Sequence, residues 1–374
     1  MQKKLSVLFI VSLFSMGLLL LVGQSLAYTP QGSNSVTKGF ITEFPIPAAN
    51  GNPQNLVVAS SGTPTSIWFT MPDANAIGNL VVTSTTDFQF ETFSAGISAN
   101  SAPYDLVYDA NRNLIWFTEM DGNRLGALNI TTGAITETVV SNNQSPNSIT
   151  LSPNGNIWFT QPTANFVARY VPGTGTFTYF TYSNNVGNPV NGHPTKISAQ
   201  NNDAIWVTAP NSTQIGKLQP STGNFTVATV ADFGSAAVPP TDILYFDNDT
   251  WISTAANDRI GRYIPQTLSG FQWFQLPATN SGVDSFFVTK AGSSHTLWFT
   301  EPNFGRVGRI NLNNSYKTGS VMSHFLVFAN SIPSDITVDA QENAWIADKD
   351  GQAIAIWSAP YNYNIFLPVT LDPN

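Results

Sequence analysis

Asp105, Asp242 and Asp335 each stand two residues after a proline, Pro103, Pro240 and Pro333, that opens a short apolar segment. Asp284 lies one position off the same register, and Asn55 and Ser148 fall within it. If these segments repeat around a closed ring, equivalent positions point at one axis. Carboxylates that converge there repel one another unless they are protonated or share a cation. An all-oxygen set of this kind suits Mg²⁺ or Ca²⁺ near the axis, with Asp105, Asp242 and Asp335 as the metal ligands. The alternative for each aspartate is a solvated residue at the turn into a strand. General-base chemistry would need a histidine within reach of the proton it removes. Of His193, His295 and His324, only His193, just before Pro194, is placed near such an axis, and it is the catalytic candidate. Tyr104, Glu119, Arg124, Asp284, Glu301, Arg306 and Asp348 fall on loops of the same face and are the candidate ligand contacts. For Glu119 and Glu301 the competing reading is exposed loop surface.

The elements that would position these residues repeat seven times. Trp68, Trp116, Trp158, Trp206, Trp251, Trp298 and Trp345 are spaced 48, 42, 48, 45, 47 and 47 residues apart. A period of this size marks a repeat architecture. Around each tryptophan, β-branched and aromatic residues alternate as a short strand, as in Ile115-Trp116-Phe117-Thr118. Nine and ten residues on, each repeat has an aliphatic residue and then Gly or Ala, as in Leu125-Gly126 and Val307-Gly308, which reads as a second strand in close backbone contact. The prolines upstream mark an inner strand, since proline is tolerated at a strand's first residue. Aromatic stretches such as Phe177-Thr178-Tyr179-Phe180 supply a fourth. Four strands per unit and seven units predict an all-β, seven-bladed propeller over residues 39–374. Two segments compete to complete the last blade, 39–45 before the first repeat and 364–369 after the seventh. The N-terminal one is the expected closing strand.

The bulk composition narrows the function. Of 374 residues only 10% are charged, the formal net charge is −8, and the cations are scattered. A nucleic-acid partner is therefore not expected, because phosphate binding needs clustered Lys or Arg. Lys3 and Lys4 precede an apolar run from Leu5 to Val22, and Ser25-Leu26-Ala27 offers small residues for cleavage. Residues 1–27 read as a signal peptide or an N-terminal membrane anchor, and 28–38 as a linker. The run is just long enough to span a bilayer. Either way the chain is expected outside the cytoplasm, at the cell surface or beyond, with the membrane touched only through that segment. Cysteine is absent, so no disulfide contributes. Asn-x-Ser/Thr sequons at Asn129, Asn143, Asn211, Asn224, Asn248 and Asn313 fit a glycosylated export product. No phosphate-cradling glycine loop, Gly-x-Ser-x-Gly elbow or zinc-spaced His/Cys cluster occurs.

The stretch Leu297-Trp298-Phe299-Thr300-Glu301-Pro302-Asn303 through Arg306-Val307-Gly308-Arg309-Ile310-Asn311 resembles the blade repeat of the streptogramin lyases, the virginiamycin B lyase family. Trp116-Phe117-Thr118-Glu119 and the leading Ile41-Thr42-Glu43-Phe44-Pro45 resemble it too, and the likeness covers about residues 39 to 357. The resemblance implies a seven-bladed propeller that opens a cyclic depsipeptide by elimination, with a histidine base and a magnesium ion near the axis. It also implies a histidine directly after the opening proline in late blades. Here that position holds Gln54, Tyr104, Asn147, Thr195, Thr241, Asp284 and Ser334. The expectation is therefore a binding or surface-interaction module, taking a small-molecule, glycan or protein ligand on one face. The alternative is a metal-dependent C–O lyase or lactonase-like hydrolase with a relocated base.

Overall fold

Each of the seven tryptophans lies within the second strand of a blade. These strands are Thr65–Met71, Leu114–Glu119, Ile157–Gln161, Ala204–Ala209, Asp249–Thr254, Ser294–Glu301 and Ala344–Asp348. The computed structural model describes residues 35–358, except 39, 50, 61, 232–236, 266–269, 277, 314, 317, 327 and 329. The apolar leader and the 364–369 segment lie outside them. Among the described residues no helix is long and apolar enough to cross a membrane.

The strands form seven antiparallel sheets, six of four strands and one of five. The inner strands are Leu56–Ser60, Pro103–Asp109, Ile149–Leu151, Ile197–Asn201, Asp242–Phe246, Phe286–Ala291 and Pro333–Val338. Each lies beside the next, and the seventh lies beside the first, so the ring is closed. A strand begins on its opening proline at Pro103 and Pro333, and two or three residues later after the other four. Blade 7 takes its outer strand from the N-terminus. Ile41–Pro45 pairs antiparallel with Ala353–Trp357, Ile41 opposite Trp357 and Pro45 opposite Ala353. Val36–Lys38, at the end of the stretch read as a linker, adds a fifth strand outside it.

The tryptophans fill the seams between blades. Trp345 of blade 7 packs with Ile67 and Phe69 of blade 1, and Trp298 of blade 6 with Ile336 and Trp357 of blade 7. All seven are between 0% and 8% exposed. The small residue ten positions later has a steric cause. A Cβ on Gly126 would lie 2.0 Å from the Phe117 ring, and one on Gly308 would lie 2.3 Å from Phe299.

The loop from second to third strand has one shape throughout. Asn75, Asn123, Asn165, Thr213, Asp258, Gly305 and Gln352 all adopt the left-handed conformation, with φ between 50° and 60°. Asn and Asp tolerate it better than most side-chain-bearing residues. Several of them also reach the next blade. Asn75 Oδ1 accepts from the Ser101 and Ala102 amides, and Asp258 Oδ1 from the Ser281 amide and hydroxyl. These bonds put the second-strand loops and the loops leading into the inner strands on one face, here called the upper face.

Candidate functional site at the propeller axis

In blades 1 to 3 the threonine two residues after the tryptophan builds the axial site. Thr118 Oγ1 accepts from the Asp105 amide at 3.1 Å and donates to the Asn147 carbonyl of blade 3 at 2.6 Å. Thr70 and Thr160 repeat the pattern. They accept from the Asn55 and Ser148 amides and donate to the Tyr104 and Thr195 carbonyls of the following blades. Blade 7 has Ala347 there, and Ser334 makes the link instead, donating to the Pro53 carbonyl at 3.1 Å. Sequence reading took these threonines as strand formers. They are latches that fix the inner strands around the axis.

The residue two after the opening proline, or after Val283 in blade 6, is thus held at equivalent places in the ring. The set is Asn55, Asp105, Ser148, Lys196, Asp242, Ser285 and Asp335. Each aspartate carboxylate reaches the following blade. Asp105 Oδ2 accepts from Ser148 Oγ at 2.8 Å and the Ile149 amide at 3.0 Å. Asp335 accepts from the Leu56 amide at 2.9 Å, and from Ser285 Oγ of the preceding blade at 2.6 Å. Asp242 accepts from the Phe286 amide at 3.3 Å and its neighbour Ile243 at 2.8 Å.

Sequence reading missed Lys196, although it stands in the same register after Pro194. Burial alone would favour its neutral amine, but the carboxylates of Asp242, Asp105 and Asp335 more than offset this and raise its pKa. The ammonium is the cation of the site. Burial pushes the Asp335 carboxyl up to about 7 despite Lys196 and its two hydrogen bonds. Burial likewise raises Asp242 to about 6, with Lys196 opposing and Asp284 adding to the rise. The Tyr104 phenol is raised, first by burial and then by Asp105, Asp284 and Asp335 against Lys196, so it stays protonated. Asp105, Asp242, Asp335, Lys196 and Tyr104 are all half-buried, while Asp284 is exposed at the mouth.

This donor set does not fit a resident Mg²⁺ or Ca²⁺. Among the described residues no group of three or more His, Cys, Asp or Glu side chains is arranged to hold a metal ion. The three aspartates expected as ligands spend their oxygens on amides and serine hydroxyls of their own and neighbouring blades, and an ammonium already supplies positive charge.

The remaining candidates divide. His193 sits on the upper face, half-buried at φ 50°, with its amide held by Asn165 Oδ1 at 3.1 Å; no described residue hydrogen-bonds its ring. His295 is buried on the opposite, lower face against Asp247, 2.9 Å away, and His324 is on the outer strand of blade 6. Glu301 and Asp348 are fully buried, not loop surface. Glu301 pairs with Arg306 at 3.1 Å, and Asp348 accepts from Ser331 Oγ at 2.6 Å and the Ile332 amide at 2.9 Å. Arg124 is 3.3 Å from Glu137 and donates to the Gly122 carbonyl. These four hold their own blades. Glu119 is also fully buried, beside the Ser101 hydroxyl and the Glu137 carboxyl. Burial, then Glu137 nearby, raises its pKa to about 7 against Ser101 and Arg124. Of the sequons, Asn143, Asn211, Asn224, Asn248 and Asn313 are exposed and Asn129 is half-buried.

The family model for the virginiamycin B lyase family matches residues 31–191 and 188–359. Among solved structures, the selenomethionine-substituted virginiamycin B lyase from Staphylococcus aureus is 23% identical, with a TM-score of 0.69 over 85% of this chain and 99% of that one. A catalytically inactive histidine-to-alanine variant of that lyase, with quinupristin, is 22% identical, with a TM-score of 0.70 over 85% and 99%. A streptogramin B lyase structure is 24% identical, with a TM-score of 0.69 over 84% and 96%. These likenesses show the shared fold. No curated protein matches this sequence.

Proposed function

The chain belongs to the virginiamycin B lyase family, and from that premise we propose that it is an exported propeller that binds a ligand on its upper face without the family's histidine-based elimination. The observation that carries this reading is Lys196 among Asp105, Asp242 and Asp335. The axis holds one ammonium under the electrostatic influence of three hydrogen-bonded carboxylates, with no imidazole in the register that follows the opening prolines. Four carboxylates, counting Asp284, face one ammonium, so the mouth favours a ligand that brings a cationic group. Tyr104 adds a phenol donor. The apolar leader and the exposed sequons support export and glycosylation, and the scattered cations support a function without nucleic acid.

One observation favours a second reading. Asp335, half-buried with a carboxyl near 7, matches the range of a general base at neutral pH. A lyase or hydrolase with a relocated base would use it.

Incubation with quinupristin and Mg²⁺, followed by liquid chromatography, separates the two. The binding reading expects an intact macrocycle after exhaustive incubation. Ring opening would overturn it, and loss of that opening in Asp335→Asn, but not in His193→Ala, would assign the base. Calorimetric titration with cadaverine is the positive arm. Binding at pH 8 that weakens toward pH 5, as Asp335 and Asp242 take up protons, is expected. Affinity unchanged in Asp284→Asn and across that range would reject the acidic mouth as the site.

A further inference from the structure

Blades 3, 5 and 6 carry the same cross-strand pair, Trp158 opposite Arg169, Trp251 opposite Arg262 and Trp298 opposite Arg309. In blade 5 the pair is complete. Asp249, two residues before the tryptophan, ion-pairs Arg262 at 2.6 Å, and the Tyr316 ring covers the guanidinium at 3.9 Å. In blade 6 the position two before the tryptophan is Thr296, whose hydroxyl donates to Asn311 Oδ1 at 3.1 Å. No described carboxylate lies within ion-pair distance of Arg309. Its guanidinium is held 5.4 Å from the Trp298 ring and 5.4 Å from Trp357. One terminal nitrogen donates to the thioether of Met322 at 3.4 Å, a weak acceptor, and Nε is buried without a partner.

A cleft of about 440 Å³ opens beside this cation, lined by Thr289, Thr296, Trp298, Arg309, Asn311 and Glu342. It lies between blades 6 and 7 on the lower face, near the turn joining Ala291 to Ser294. The axial acids are on the upper face. Trp298 Nε1 donates to Thr289 Oγ1 at 3.2 Å, so the Thr289 hydroxyl proton remains to be given. Glu342 is exposed at the mouth.

We propose that this cleft binds a small carboxylate, which takes at Arg309 the place that Asp249 holds at Arg262. The guanidinium fork matches a carboxylate, and Thr289 adds a donor. Glu342 repels a second negative group and accepts from a hydroxyl or amine. A monocarboxylate carrying such a donor is therefore preferred over a dicarboxylate.

Titration calorimetry on the full chain tests this with glycerate and succinate. Saturable glycerate binding is expected, weakened at least about tenfold in Arg309→Met, the equivalent of about 1.4 kcal/mol. Glu342→Gln, at an exposed position, should strengthen succinate at least about threefold by lifting the repulsion. Absence of saturable glycerate binding to the folded chain overturns the proposal, as does equal glycerate affinity in Arg309→Met. If Arg309→Met does not fold, as thermal melting reports, unchanged succinate affinity in Glu342→Gln overturns it. The result is independent of the upper-face reading, because cadaverine binding there does not involve Arg309.

Discussion

Replacing Asp335 by asparagine should change how stability depends on pH. The native carboxyl is raised from an ordinary 3.8 to about 7, chiefly by burial at the axis. A group that binds its proton more tightly when folded favours the folded state at low pH. That contribution is lost as pH rises through the folded pKa. The rise amounts to about 4 kcal/mol between pH 4 and 7, at about 1.4 kcal/mol for each tenfold change in proton affinity. Asp335 is half-buried, and water reaching the channel screens the site, so about 2 kcal/mol is the expected effect. Asparagine keeps the shape, and its oxygen still accepts from the Leu56 amide, but it does not titrate. Urea unfolding at pH 5, 6, 7 and 8 on both proteins reads the effect, because groups away from the axis cancel in the difference. Relative to the variant, the native chain should lose about 1 kcal/mol from pH 5 to pH 8, since only about two-thirds of that effect falls in this window. Parallel pH profiles would refute the view that a buried, proton-holding carboxyl stands at the axis.

Two further changes test how the ring is held. Thr118→Val removes the hydroxyl that links the Asp105 amide to the Asn147 carbonyl and leaves both groups near the axis. Urea melts should show a loss of about 1–3 kcal/mol. Phe44→Ala empties a fully buried site in the closing strand, and thermal or urea unfolding should report about 3–5 kcal/mol.

The tryptophan period and the small residue ten positions later were readable because both have direct steric causes. A fixed repeat of Trp68 to Trp345 demands equivalent seams, and Gly126 must lie flat under Phe117. The register of Asp105, Asp242 and Asp335 was readable for the same reason, as equivalent positions meet the same axis. What they do there was not. Like charges in one register suggest a metal, and the answering cation, Lys196, comes from a different blade, visible only when the register is read through all seven repeats. The latch role of Thr70, Thr118 and Thr160 was hidden because a β-branched residue in a strand already has a sufficient local explanation. Glu119 and Glu301 read as loop because each is followed by turn residues. In the fold each ends a second strand buried on every side, where a carboxylate must find a partner, as Glu301 does in Arg306, or hold its proton, as burial favours for Glu119.

Because Ile41–Pro45 lies against Ala353–Trp357, the seventh blade is assembled from opposite ends of the sequence. During synthesis the first six blades emerge with the seam that will receive Trp345 and Phe44 still open. The ring becomes one cooperative object only when the last strand is released. Loop-closure entropy grows slowly with length, so the delay costs little final stability, but such distant pairing is slow to form. Until then the apolar faces of blades 1 and 6 that blade 7 will cover stay open to other chains. Pairing of Ala353–Trp357 with the waiting strand Ile41–Pro45 is therefore also the step that ends the molecule's exposure to misassembly.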